Sequence, residues 1–197
     1  MGIAWTPNLI EVKQMIVYRF EGKEPRIGEG TYVSQSAEVI GEVTIGEQCY
    51  IGPGAKIRGD YRSILIGDKT SIEENCVLHA RPNETCEVGN MVTVGHGSIL
   101  HNCTVKDYAV IGMGAIVSDH AVVGVWSVVG EGCVVRNKQV IEDHKIVVGV
   151  PAKIVGEVSE DYQRLWTSYK SLYAKLALKY PETLEEVCVC NGKRDCV

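Results

Sequence analysis

Residues 109–135 read AVIGMGAIVSDHAVVGVWSVVGEGCVV, and a branched aliphatic returns at every sixth position: Ile111, Val117, Val123, Val129 and Val135. The same step runs backwards through the chain. It links Val88, Val94 and Leu100, then Ile66, Ile72 and Leu78, then Ile27, Val33, Val39, Ile45, Ile51 and Ile57. Glycine directly follows many of them (Gly46, Gly52, Gly67, Gly89, Gly95, Gly112), and the fifth place of each unit is small, as at Cys49, Ala55, Cys76, Ser98 and Ala115. A period of six is neither the 3.6 of a helix nor the 2 of a lone strand. It fits a short strand followed by a corner, with the aliphatic inward and the small residue where two faces meet. Three units close one triangular coil, and coils stack as parallel strands about 4.8 Å apart. The pattern predicts an all-β solenoid, a parallel β-helix of hexapeptide repeats.

The ladder has three breaks. Nine residues separate Ile57 from Ile66, ten separate Leu78 from Val88, and eleven separate Leu100 from Ile111. Insertions in a solenoid go to its corners and often carry function, so a loop is predicted over 80–87. Beyond Pro151 the pattern changes. Ser159 caps a helix whose first turn carries Glu160 and Asp161. Leu165, Tyr169, Leu172, Leu176 and Tyr180 then follow helical spacing, and Pro181 is the predicted stop. The helix should lie along the outside of the coil. The expected organisation is an extension over 1–15, the β-helix over 16–156, the C-terminal helix over 157–187, and a cysteine-containing tail over 188–197.

Composition narrows the function. The formal net charge is −5 and no basic run stands out, which argues against nucleic acid or an anionic membrane surface as partner. No apolar stretch approaches the ~18 residues of a membrane span, and the first residues lack the pattern of a signal peptide. A cytoplasmic protein is expected. There Cys49, Cys76, Cys86, Cys103 and Cys133 read as small buried hydrophobes or surface thiols rather than disulfides. Cys188, Cys190 and Cys196 belong to a tail expected to be loose.

Five histidines occur, three of them within 23 residues: His79, His96 and His101. His79 follows the inward Leu78, and His101 follows the inward Leu100. Three hexad steps, one coil, separate those aliphatics, so the two histidines share a face one coil apart and can converge on one ion. His96 is the third residue of the Val94 unit, one face away. It can reach the same ion only from a neighbouring subunit, and a cyclic trimer supplies that contact three times. By the same count Arg58 lies one coil below His79, and Glu74 lies one coil below His96. Arg58 of one subunit is therefore expected to meet Glu74 of the next. His120 and His144 read as ordinary surface residues.

At these residues the chain resembles the gamma-class carbonic anhydrases and their relatives from carnitine and phenylacetate operons. The strings that carry the resemblance are Arg58-Gly59-Asp60, Ser71 to His79, Val94 to Cys103, and Gly149-Val150-Pro151-Ala152-Lys153. The resemblance implies a left-handed coil and a homotrimer. It also implies a metal, zinc with iron or cobalt as alternatives, held by His79, His96 and His101. The implied reaction is the reversible hydration of carbon dioxide to bicarbonate. Arg58 and Asp60 take the family's structural arginine and aspartate positions, Glu73 falls near the reacting water, and Tyr173 aligns with a helix tyrosine beside it. Three imidazoles leave a position open on the ion, whose role is to lower the pKa of water to about 7. The chain departs from the pattern at Tyr61 and Pro82, where proton-exporting carboxylates are looked for. Glu84 and Glu87 lie further along as substitutes. Two other functions fit the scaffold: a thioesterase or acyltransferase on coenzyme A esters, and a non-catalytic metal-binding trimer.

Overall fold

The aliphatics spaced by six do point inward. Val39, Ile51, Ile57, Ile72, Leu78, Val94, Leu100, Ile111, Val117, Val123, Val129 and Val135 are all fully buried. They form one continuous core with Cys49, Cys76, Cys86, Cys103 and Cys133, whose thiols are free and, of the two expected placements, all buried rather than on the surface. The computed structural model describes residues 17–185 and residue 187. The segment 1–15 and the tail with Cys188, Cys190 and Cys196 lie outside the described residues.

The coil makes about seven turns and has the architecture of a left-handed β-helix. Two-residue strands such as Thr93–Val94, Val110–Ile111 and Val128–Val129 alternate with tight corners. An 8-stranded sheet forms one face. A 12-stranded sheet forms the other two, because the long strands Glu38–Ile45 and Lys56–Ile66 run round a corner and join them. Within Lys56–Ile66, Arg58 pairs with His79 on one face and Ile66 pairs with Val88 on the next. The nine-residue break is thus a strand that turns a corner, and the ten-residue break is the loop between strands Val77–His79 and Cys86–Val88.

Glycine is needed where coils touch. A Cβ on Gly67 would sit 2.7 Å from the backbone carbon of Gly89 in the coil above, closer than any side chain tolerates.

The helix α1 spans Glu160–Thr183, with the Ser159 hydroxyl accepting from the Tyr162 amide. Two details differ from the sequence expectation. Pro181 lies inside the last turn instead of ending it. Proline forfeits one amide bond, but so near the helix end little ladder remains to lose. The helix is also rotated. Leu165, Tyr169 and Leu172 are about half exposed, while Lys170, Ala174 and Ala177 are buried. The reason is the surface it lies on: Tyr32 and Tyr50 project from the coil and stack on Tyr180 and Tyr173 at 4.9 and 5.3 Å between ring centres. Alanines on the facing stripe leave room for those rings. Among the described residues, no helix is long and apolar enough to cross a membrane.

Candidate metal centre

His79 and His101 stand on adjacent coils of one face, paired directly in register. Their rings approach so that Nδ1 of His79 lies 3.3 Å from Nε2 of His101. The outward nitrogens are both held. Nε2 of His79 is 3.0 Å from Oδ1 of Asp60, and Nδ1 of His101 is 2.5 Å from Oδ1 of Asp119. A carboxylate accepts the ring N–H, so each carboxylate leaves the facing nitrogen with a lone pair. Two acceptors pointed at each other at this distance require a cation between them, a shared proton or a metal ion.

A hydrogen bond shared between the rings spans this distance, and so does a metal ion. Two nitrogens bound tetrahedrally, each about 2.0–2.1 Å from a zinc ion, are about 3.3–3.4 Å apart. Carboxylates on the far nitrogens are the usual partners of metal-binding histidines and raise their basicity.

The carboxylates are fixed in turn. Arg58 Nη2 lies 2.7 Å from Oδ2 of Asp60, and Arg81 Nη2 lies 2.6 Å from Oδ2 of Asp119. Burial pushes the Asp60 carboxyl up, but Arg58 and His79 together outweigh it and hold it below the usual range. The balance is the same at Asp119, where His101 and Arg81 overcome burial. The result is a symmetric run, Arg58–Asp60–His79 facing His101–Asp119–Arg81, with both aspartates ionised.

His96 is on the other sheet. Its Nδ1 lies 2.5 Å from Oε2 of Glu74, and its Nε2 lies 3.1 Å from Oε2 of Glu73. The single chain therefore brings His79 and His101 together but does not add His96 to them. Among the described residues, no three His, Cys, Asp or Glu side chains are placed to hold an ion. Glu74 also accepts from the Tyr50 hydroxyl at 2.9 Å. Glu73 is buried, and its carboxyl is raised by that burial, partly offset by His96. Burial, followed by the nearby Glu73 carboxylate, pushes the Tyr173 phenol above its usual range.

A family model described as bacterial transferase hexapeptide (six repeats) matches residues 24–59. A carbonic anhydrase from Geobacillus kaustophilus is 32% identical over 180 residues, 91% of this chain and 99% of that protein. The chain belongs to the gamma-class carbonic-anhydrase-like family of hexapeptide-repeat proteins. The carnitine operon protein CaiE of Escherichia coli is 35% identical over 173 residues, 86% of this chain and 88% of that one. A solved hexapeptide transferase family protein from Anaplasma phagocytophilum superposes with a TM-score of 0.79 at 30% identity, covering 84% of this chain and 98% of the other.

Within that family frame, two groups escaped the sequence reading. Asp119 and Arg81 complete the run on the His101 side. The available signal was register: Val117 stacks on Leu100, so an acidic residue just past Val117 falls within reach of His101. The second group is Lys170, only 1% exposed. Its Nζ donates to Thr93 Oγ1 at 3.2 Å and to the Ala109 carbonyl at 3.0 Å, and lies 5.6 Å from the centre of the Trp166 ring. Burial lowers this amine to about 7, with Glu73 opposing. Beside it, between α1 and the coil, a recess of about 340 Å³ is lined by Glu73, His96, Met113, Trp166, Tyr169 and Leu172, among others.

The expected substitutes for a proton carrier separate. Glu84 bonds to the side chain of Asn102 and lies 3.6 Å from Nε2 of His120. Glu87 is on the next face of the coil, in strand Cys86–Val88. His120 thus has an acidic neighbour that the sequence reading did not give it. Arg58, expected opposite Glu74 of another subunit, turns within the chain to Asp60.

Proposed function

We propose that the protein is a gamma-type carbonic anhydrase: a homotrimer that holds zinc between subunits and interconverts carbon dioxide and bicarbonate. The observation that carries this reading is the facing pair, His79 Nδ1 and His101 Nε2 at 3.3 Å, each ring anchored by a carboxylate. His96 of a neighbouring subunit is the third donor. In the single chain its Nδ1 lies beside Glu74 and its Nε2 beside Glu73, and on this reading Nε2 is the nitrogen given to the ion. Three neutral imidazoles suit zinc, with iron or cobalt able to occupy the same donors.

The ion supplies a Lewis acid that brings the pKa of water to about 7. The chain's own groups do the rest. Glu73, beside His96 Nε2, orients the water, with the Tyr173 phenol near that carboxylate. One C–O bond forms to carbon dioxide and one O–H bond breaks, giving bicarbonate and a proton. Glu84 and His120, next to Asn102, stand at the exit for that proton.

The test has two parts. Protein purified anaerobically should contain about one metal ion per chain and hydrate carbon dioxide. Metal without hydration, but with turnover of a coenzyme A thioester, would assign the site to ester chemistry instead. The shared site is tested by mixing His96→Ala chains with His101→Ala chains after unfolding. Each variant alone has every site damaged, but any mixed ring has one junction with all three ligands intact. Mixed trimers that recover no tight metal site would refute the assignment of His96 to the neighbour.

A further inference from the structure

Two vertical columns of side chains flank the histidines. On one face Leu78, Leu100, Val117 and Val135 stack in register. The residues after them are His79, His101, Ser118 and Arg136, one per coil, with Arg58 one coil below His79. At the neighbouring corner Ile72, Val94, Ile111 and Val129 stack in register. Two places after each comes Glu74, His96, Met113 and Glu131. Backbone bonds tie this second column together: Gly97 N to Glu74 O at 2.8 Å, Gly114 N to His96 O at 2.9 Å, and Gly132 N to Met113 O at 2.9 Å.

From His101 to Arg136 is two coils, and from His96 to Glu131 is also two coils, each about 9.6 Å at 4.8 Å per strand. A three-fold axis along the stack preserves height. Whatever contact places His96 of one copy beside His101 of another therefore places Glu131 beside Arg136. We infer that the subunit contact extends to this second rung, an ion pair between Arg136 of one copy and Glu131 of its neighbour. This rests on the shared-histidine reading.

The charges support a second copy as the occupant. Arg136 on one column and Glu131 on the other stand at the same height above the histidines and carry opposite charge, so at this rung the surface is complementary to itself in head-to-tail fashion. With a three-fold rotation that kind of contact closes into a ring. Arg136 and Glu131 are both exposed, and neither forms an ion pair with another of the described residues. Between the rungs Met113 is 52% exposed, and Tyr169 and Leu172 on the rim of the same recess are 47% and 56% exposed. A neighbouring copy aligned on the histidines lies along this apolar strip.

The experiment is sedimentation equilibrium on Arg136→Glu, Glu131→Arg and the double reversal, with circular dichroism confirming that each folds. Each single reversal should raise the dissociation constant of the trimer about tenfold or more, since three attractive contacts become repulsive. The double reversal should return it to near the wild-type value. A wild-type chain that is monomeric overturns the trimer reading and this inference together. A wild-type trimer that the single reversals leave equally tight, or that the double reversal does not restore, overturns this inference alone. A second measurement needs no energetics: oxidised Glu131→Cys/Arg136→Cys chains should run as covalently linked trimers on a non-reducing gel. A ladder identical to that of the wild-type chain would count against the contact.

Discussion

Replacing Lys170 by methionine should stabilise the fold at neutral and acid pH and lose that advantage at high pH. The amine is 1% exposed, and burial takes it from the ordinary 10.5 to about 7. The unfolded chain keeps its proton on Lys170 up to about pH 10.5, and the folded chain keeps it only up to about 7. Between those values the unfolded state binds more protons, so wild-type stability climbs with pH. Below about 7 both states are protonated and the penalty is complete. At about 1.4 kcal/mol per pH unit, the gap of about 3.5 units amounts to about 5 kcal/mol. Methionine fills the same volume with nothing to titrate. It also leaves Thr93 Oγ1 and the Ala109 carbonyl without this donor, at about 1–3 kcal/mol, but that loss does not vary with pH. The readout is therefore the difference between the two proteins' unfolding free energies, from denaturant titrations followed by helix circular dichroism at pH 6 to 10. The difference should shrink by several kcal/mol over that range. Parallel profiles would mean that Lys170 is solvated in the native state and that α1 does not seal it.

Asp119→Asn should lower metal affinity about 10- to 100-fold in a chelator competition while leaving the coil intact, because the charge that polarises His101 is lost; unchanged affinity would remove Asp119 from the site. Hydration should be limited by proton export, so turnover should rise with buffer concentration. Glu84→Gln should slow it about a hundredfold in dilute buffer and much less in concentrated buffer. A rate indifferent to both would place the exit elsewhere.

The core and the two columns were legible because a repeat of six leaves no freedom. Once Leu78 and Leu100 are inward and one coil apart, the residues after them must stack, and His79 and His101 did. Spacing also placed Arg58 below His79 and Glu74 below His96. What spacing does not encode is the reach of a side chain between coils. Asp60 and Asp119 grip the histidines from below and above; register brings them within reach, but the period does not tell which way their side chains turn. Nor does spacing encode that Arg58 turns to Asp60 in its own chain.

The helix is the instructive miss. Two stripes of α1 satisfy a 3.6 period. Hydrophobicity favours the one through Leu165, Tyr169 and Leu172, whereas the coil accepts the one through Lys170, Tyr173, Ala174 and Ala177. A buried lysine disguises the second stripe as polar, and alanines make it look weak, yet Lys170, Ala174 and Ala177 are the buried residues of the helix. The first stripe still demands burial on physical grounds. Tyr169 and Leu172 stand on the same recess as His96. The stripe that the single chain leaves exposed thus adjoins the column that the proposed shared site gives to a neighbour. The expected face holds at its C-terminal end, where Tyr180 stacks on Tyr32, and fails at Leu165, Tyr169 and Leu172; in the proposed trimer the position of Tyr169 and Leu172 near His96 puts this stripe on the surface between subunits.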